Sequence, residues 1–218
     1  MHTWGAIFDW DGVIIDSMNA HKASWERLAR ESGKTLLPGY FERSFGMKSR
    51  KIITEILHWT SDPEELKHLD WRKENLYREV IRESGIEPLP GVVNWLKTLR
   101  TAAIPCVIAS STHSRNIRCA MEIIKLDKYF QGMITGENVS HGKPDPEVFL
   151  LAAQEINTPP EHCVVFEDAH VGIEAARRTK MKVIGVATTH PADTLQDADR
   201  VVKRLDELSI QEIGEWFE

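Results

Sequence analysis

The chain has 218 residues, 42% of them hydrophobic and 28% charged, with a formal net charge of −6. That is globular composition, long enough for one large α/β domain or for one domain carrying a smaller insertion. The acidic balance, with Lys and Arg scattered rather than blocked, argues against a nucleic-acid or anionic-membrane partner.

Met1-His2-Thr3-Trp4 runs directly into an apolar stretch without the charged leader and long apolar run of a signal peptide, and no segment approaches the length of a membrane span. The three cysteines, Cys106, Cys119 and Cys163, lack CxxC spacing, and two of them sit inside apolar runs. Reduced, mostly buried thiols in a cytoplasmic protein are therefore expected.

The first strand is expected at Ala6-Ile7-Phe8, and Asp9-Trp10-Asp11-Gly12-Val13 follows it. Residues i and i+2 of an extended or tightly turned backbone point the same way, so the two carboxylates can converge. One carboxylate can attack phosphorus while the other protonates the leaving oxygen and later activates water or an alcohol. The Asp-x-Asp-Gly pattern of residues 9–12 also suits a plain turn or a fragment of a calcium loop.

From about Ser17 to Gly85 the pattern is helical and highly charged, with no convincing strand, which predicts a small helical bundle inserted after the first strand. Pro38-Gly39 and Asp62-Pro63 supply turns within it. Its last part, Glu64 to Ser84, carries Leu66, Leu69, Leu76, Tyr77, Val80 and Ile81 toward one side. Pro88-Leu89-Pro90-Gly91 is a stiff return, after which Val92, Leu96, Leu99 and Ala103 share one helix face.

A second strand, Cys106-Val107-Ile108-Ala109, leads into Ser110, Ser111 and Thr112, where hydroxyls and free backbone N–H groups can cradle phosphate or merely cap a helix. After the third, Met133-Ile134-Thr135, comes Gly142-Lys143-Pro144-Asp145-Pro146 and a helix with apolar face Val148, Leu151, Ala152 and Ile156. A lysine in a loop stiffened by two prolines can neutralise a nucleophilic carboxylate and a transferring phosphoryl group; in isolation it also reads as a solvated loop residue. The fourth run, Cys163-Val164-Val165-Phe166, ends on Glu167-Asp168, which can hold magnesium with Asp9 or cap the following helix. A fifth, Val183-Ile184-Gly185-Val186, completes the alternation. Alternation of this kind predicts a doubly wound parallel α/β sheet, whose ligands bind beyond the carboxyl ends of the strands.

Four segments in this order, FDWDGVIIDS, VIASS, GKPDP and VVFEDAHVGIEAA, resemble the four motifs of the haloacid dehalogenase superfamily over essentially the whole chain. Within it the sequence looks most like the β-phosphoglucomutase subfamily and its sugar-phosphatase relatives. The resemblance implies a core at residues 1–16 and 87–218 with an α-helical cap at 17–86. It implies Asp9 as nucleophile, Asp11 as acid/base, and Ser110 and Lys143 as the phosphate-stabilising pair, with Gly12, Ser111 and Thr112 near the phosphate. Mg2+ would be held by the Asp9 carboxylate, the Asp11 backbone carbonyl and Asp168, with Glu167 in direct or supporting contact. The cap carries His21 of the DSxxxH motif and the loop Phe45-Gly46-Met47-Lys48-Ser49-Arg50, with Gly46 a substrate-binding candidate; His21 matches the mutase histidine that couples substrate binding to placement of the acid/base, and Arg50 the arginine that binds the non-transferring phosphate, with helix-surface or packing roles the alternative for both.

The chain departs from the mutase at two places. A loop lysine is replaced when Ser49-Arg50 is aligned, leaving Gly46 and Met47, and the phosphate clamp after the second motif reads Thr112-His113-Ser114. Lys48, Arg115 or Asn116 could compensate from shifted positions. The expectation is thus a phosphatase acting on a small sugar or polyol phosphate, with β-phosphoglucomutase as the alternative and a non-catalytic binding protein behind it. A monomer or weak dimer is expected.

Overall fold

The structure is a computed structural model and describes residues 4–44 and 47–218. The chain divides into two compact units, Met1–Asp16 with Glu87–Glu218, and Ser17–Ile86. Among the described residues, no helix is long and apolar enough to cross a membrane.

The first unit is built on β1 (Gly5–Phe8), β2 (Cys106–Ala109), β3 (Met133–Ile134), β4 (Cys163–Glu167), β5 (Lys182–Val186) and β6 (Arg200–Val202). They form one sheet in the order β3-β2-β1-β4-β5-β6, every pair parallel. This is the doubly wound order, in which the chain leaves β1 in one direction and β4 in the other. β1, β2 and β4 are buried along their whole length. Strands covered on both faces need apolar side chains at every position, which is why they stand out in the sequence as continuous runs. β6 begins with a half-exposed arginine and lies at the edge, so it lacks that signature.

In the second unit α1 (Met18–Ser32), α2 (Tyr40–Arg43), α3 (Ser49–Lys51) and α4 (Pro63–Ser84) pack together, and α3 continues into a π-helical turn at Ile52–Ile56. Its core joins Trp25 and Leu28 of α1 to Ile52, Ile53, Leu69 and Leu76. α4 starts where the sequence puts a cap and a proline: the Asp62 carboxylate accepts from the Glu65 N–H at 2.8 Å and Pro63 takes the first helical position. α1 ends on Gly33 in the left-handed region, at φ 64°.

The remaining helices are α5 (Val92–Thr101), α6 (Ser114–Ile124), α7 (Glu147–Glu155), α8 (His170–Arg177) and α9 (Ile210–Gly214). Side-chain alternation along the strands sends Ile7, Val107 and Val165 to the face covered by Phe149 of α7 and Ile173 of α8. On the other face Phe8 stacks on Phe166 at 4.4 Å, and Trp95 of α5 meets Phe166 edge-on. Ala103 does not belong to the α5 face: the helix ends two residues earlier, and Ala103 is exposed at φ 56°. The buried face of α5 is instead Val92, Trp95, Leu96 and Leu99.

Cys106, Cys119 and Cys163 are buried thiols outside any disulfide. Burial pushes the Cys106 and Cys163 thiols up to about 12, so neither carries appreciable thiolate near neutral pH.

Candidate active site

β1 stops at Phe8, and the chain turns at once: the Ile14 N–H donates to the Trp10 carbonyl at 2.9 Å and the Gly12 N–H to that of Ile15 at 2.8 Å. Trp10 is fully buried, whereas Asp9 is 7% exposed and Asp11 half-buried. Gly12 sits at φ 78°, and a Cβ there would overlap the Asp168 carboxylate. Only glycine satisfies both conditions, which accounts for the residue type at this point of the turn.

β4 lies beside β1, with Phe8 opposite Phe166, so Asp9 and Glu167 emerge side by side. The Asp9 N–H donates to the Phe166 carbonyl at 3.0 Å. Lys143 comes from the loop after β3, its peptide bond to Pro144 being cis. Its side chain, 7% exposed, places Nζ 2.6 Å from Asp9 Oδ1 and 2.6 Å from Glu167 Oε1. The ammonium also lies 4.9 Å from the Phe149 ring centre. Lys143 is therefore a buried, doubly paired cation and not a solvated loop residue.

Glu167 Oε2 accepts from the Ala169 N–H at 2.8 Å, so both of its oxygens are engaged by protein donors. The close lodging of this carboxylate against α8 depends on Gly172, where a Cβ would overlap it. Gly172→Ala is expected to cost about 1–3 kcal/mol through overpacking. Comparing its thermal unfolding with that of Val171→Ala, at an exposed neighbour, checks this.

Asp9, Glu167 and Asp168 each present a carboxylate oxygen, and these oxygens lie within 4.8 Å of one another, all three residues buried. Three carboxylates thus face one ammonium. Burial acts most strongly on Asp9; Lys143 opposes it, Glu167 and Asp11 reinforce it, and the carboxyl is pushed up to about 7. Burial, then Glu167 and Asp9, push Asp168 up to about 8 against the Thr189 hydroxyl and Lys143. Burial alone would lower Lys143, yet Asp9 and Glu167 outweigh it and hold the amine above its ordinary value. The cluster has a surplus of negative charge, built from hard oxygen donors, and a divalent cation of the magnesium class fits it.

After β2, Ser110 is buried and its hydroxyl accepts from the Thr112 N–H at 3.1 Å. Ser111 is exposed. The Thr112 hydroxyl donates to Asp11 Oδ2, linking the second strand's loop to the first's. Neither Thr112 nor Asp168 caps a helix: the residues preceding α6 and α8 are His113 and Ala169. Arg115 is exposed on α6, and Asn116 is buried there.

Within the helical unit, His21 stacks on Tyr77 at 4.3 Å and its Nδ1 lies 2.9 Å from the ammonium of Lys73. Lys73 is 3% exposed and also pairs with Glu74, which accepts from the Ser49 hydroxyl at 2.6 Å. Arg50 is exposed and its Nε meets Asp70 Oδ2 at 2.8 Å. Gly46 lies outside the described residues.

The sequence reading passed over Thr188 and Thr189, whose hydroxyls donate to the Gly12 carbonyl and to Asp168 Oδ2. They lie two and three residues beyond β5, so looking past the fifth apolar run, as past the other four, finds them. Lys73, Glu74 and Asp70 left no such signal, because charged residues abound on α4.

The haloacid dehalogenase-like hydrolase family matches residues 6–186. The chain is 38% identical over 209 residues to the chloroplastic 5-amino-6-(5-phospho-D-ribitylamino)uracil phosphatase of Arabidopsis thaliana, with 94% of this chain aligned to 56% of that protein's length. It is 33% identical over 175 residues to the phosphorylated carbohydrates phosphatase of Thermotoga maritima, covering 78% of this chain and 79% of the relative. The β-phosphoglucomutase structure from Clostridium difficile superposes with a TM-score of 0.82 at 27% identity, covering 98% of this chain and 96% of that one. A parallel sheet with acidic residues at the ends of β1 and β4, a lysine between them, and these matches together place the chain in the haloacid dehalogenase-like hydrolase family.

Proposed function

We propose that the protein is a Mg2+-dependent phosphatase that hydrolyses a small sugar or polyol phosphate through an aspartyl-phosphate on Asp9. The observation that carries this reading is the buried Asp9–Lys143–Glu167 pairing, with Asp168 adjoining it and Asp11 tied to Thr112. An Asp9 oxygen attacks phosphorus, the bond to the ester oxygen breaks, and Asp11 gives that oxygen its proton. Asp11 then takes a proton from water, whose oxygen attacks the same phosphorus and frees Asp9. Lys143 orients Asp9 throughout and offsets charge gathering on the phosphoryl oxygens. Ser110 and the backbone around it bind those oxygens.

Asp9 and Asp168 would hold the magnesium ion, while Glu167, with both oxygens engaged, would support Lys143. When bound, the ion supplies positive charge toward the phosphoryl group. The phosphatases of a phosphorylated ribityl compound and of phosphorylated carbohydrates among the relatives support a phosphorylated polyol or sugar as substrate.

Water rather than a sugar hydroxyl is the favoured acceptor. A mutase must grip the second phosphate of a bisphosphate intermediate, and the helical-unit arginine expected to do so, Arg50, is already paired with Asp70. Asp70→Asn is accordingly expected to tighten binding of glucose 1,6-bisphosphate about 3- to 10-fold, read as its inhibition constant, a modest gain because the arginine is exposed. Unchanged inhibition constants would remove this argument against the mutase.

The test of the function is to supply the purified chain with Mg2+, β-glucose 1-phosphate and a trace of the 1,6-bisphosphate, beside a panel of other sugar and polyol phosphates. Free phosphate from at least one ester, without accumulation of glucose 6-phosphate, is expected. Glucose 6-phosphate forming faster than phosphate would make the protein a mutase.

A further inference from the structure

β5 neighbours β4 in register, Glu167 opposite Gly185, so the loop after β5 leaves the sheet beside the segment carrying Glu167 and Asp168. That loop folds back on itself, the Thr188 N–H donating to the Val186 carbonyl at 2.9 Å. Two consecutive hydroxyls then reach two different loops: Thr188 donates to the Gly12 carbonyl in the turn after β1, and Thr189 to Asp168 Oδ2 after β4. The three segments are in close contact, since a Cβ on Gly12 would sit against Asp168 and 2.7 Å from the Thr189 oxygen.

We propose that Thr189 is a positioning residue for the divalent cation: its hydroxyl fixes the Asp168 carboxylate so that the other oxygen is presented toward Asp9 and Glu167. The inference rests on the magnesium reading above. A carboxylate free to rotate about its side-chain torsions loses entropy when it becomes a ligand, and a hydrogen bond to one oxygen removes part of that cost beforehand. It also orients the remaining lone pairs, which is why partners behind a metal ligand commonly govern affinity. The donor must be small and neutral. A lysine or arginine here would cancel the negative charge that attracts the cation, whereas a hydroxyl leaves it in place. Asp168 is 4% exposed, so solvent cannot readily supply the missing donor when the threonine is removed.

The test compares the full-length protein with Thr189→Val, which keeps the shape and loses the hydroxyl, and Thr189→Ser, which keeps the hydroxyl. Each, freed of metal, is titrated with Mn2+ and the free ion is read by electron paramagnetic resonance; circular dichroism melting reports folding. The expected result is Mn2+ affinity about 10- to 100-fold weaker in Thr189→Val and within about 3-fold of the parent in Thr189→Ser. Valine binding Mn2+ as tightly as the parent overturns the proposal, and so does serine binding as weakly as valine, which would assign the effect to packing. Should Thr189→Val not fold, Thr189→Ala takes its place with the same expectation relative to serine. A parent protein that binds no Mn2+ would instead fail the magnesium reading itself, and is told apart by the absence of any titration in all the proteins.

Discussion

Asp9→Asn is expected to leave the fold intact and to lower kcat by about 10^4-fold or more, a barrier increase of about 5.5 kcal/mol. Asparagine keeps the size and polarity of the side chain and the backbone bond to Phe166, but its amide cannot attack phosphorus. Lys143 retains Glu167 as a partner at 2.6 Å, so the substitution strands no buried cation. Because Asp9 is itself one of three crowded carboxylates and is pushed up to about 7, removing its charge should leave the metal-free protein at pH 8 at least as stable as the parent. Phosphate release with an aryl phosphate and a melting curve, measured on the same preparation, separate the two effects. Retained turnover would rule out an aspartyl-phosphate on Asp9, and lost turnover with a collapsed melting temperature would show only that the residue holds the fold.

Removing the divalent cation is expected to abolish turnover and to make stability pH-dependent. Asp9 and Asp168 have ordinary values near 3.8 and are raised in the folded protein to about 7 and about 8. From about pH 4 to pH 8 the folded, metal-free protein therefore retains protons that the unfolded chain has released. Stability is fully present below the unfolded values and falls as pH rises through the folded ones. The melting temperature in the presence of a chelator should decline between pH 5 and pH 8. Magnesium should restore it where the carboxylates are ionised: at about 100 times its dissociation constant it contributes about 2.7 kcal/mol, roughly 5–10 °C for a protein of this size. At pH 5 protons compete for both oxygens and the same addition should do much less. Melting temperatures that are flat with pH and indifferent to magnesium would refute the charge surplus on which the metal assignment rests.

The contrast between motif and neighbourhood explains what could be read before the structure. Strands β1, β2, β4 and β5 announce themselves because helices cover both faces and their inner positions are apolar runs. β6 does not, since an edge strand of three residues opening on Arg200 has neither length nor pattern. The α5 spacing extends one turn further in sequence than in the structure, because Ala103 continues the period while its backbone has already turned to positive φ. Asp9, Asp11, Ser110, Lys143, Glu167 and Asp168 could be singled out without coordinates, because a parallel sheet puts its chemistry where the strands end.

Which of those residues touch was a matter of register. Asp9 meets Glu167 because β1 and β4 are neighbours, and Lys143 crosses from the loop after β3 to pair with both. No spacing along the chain encodes that Glu167 has both oxygens engaged, that Arg50 pairs with Asp70, or that Lys73 is buried between Trp25 and Tyr77. A run of apolar residues records what a segment needs from its surroundings and can be read locally. A pairing of charges, or a hydroxyl aimed at a carboxylate from 21 residues away as Thr189 is at Asp168, exists only once the surroundings have formed.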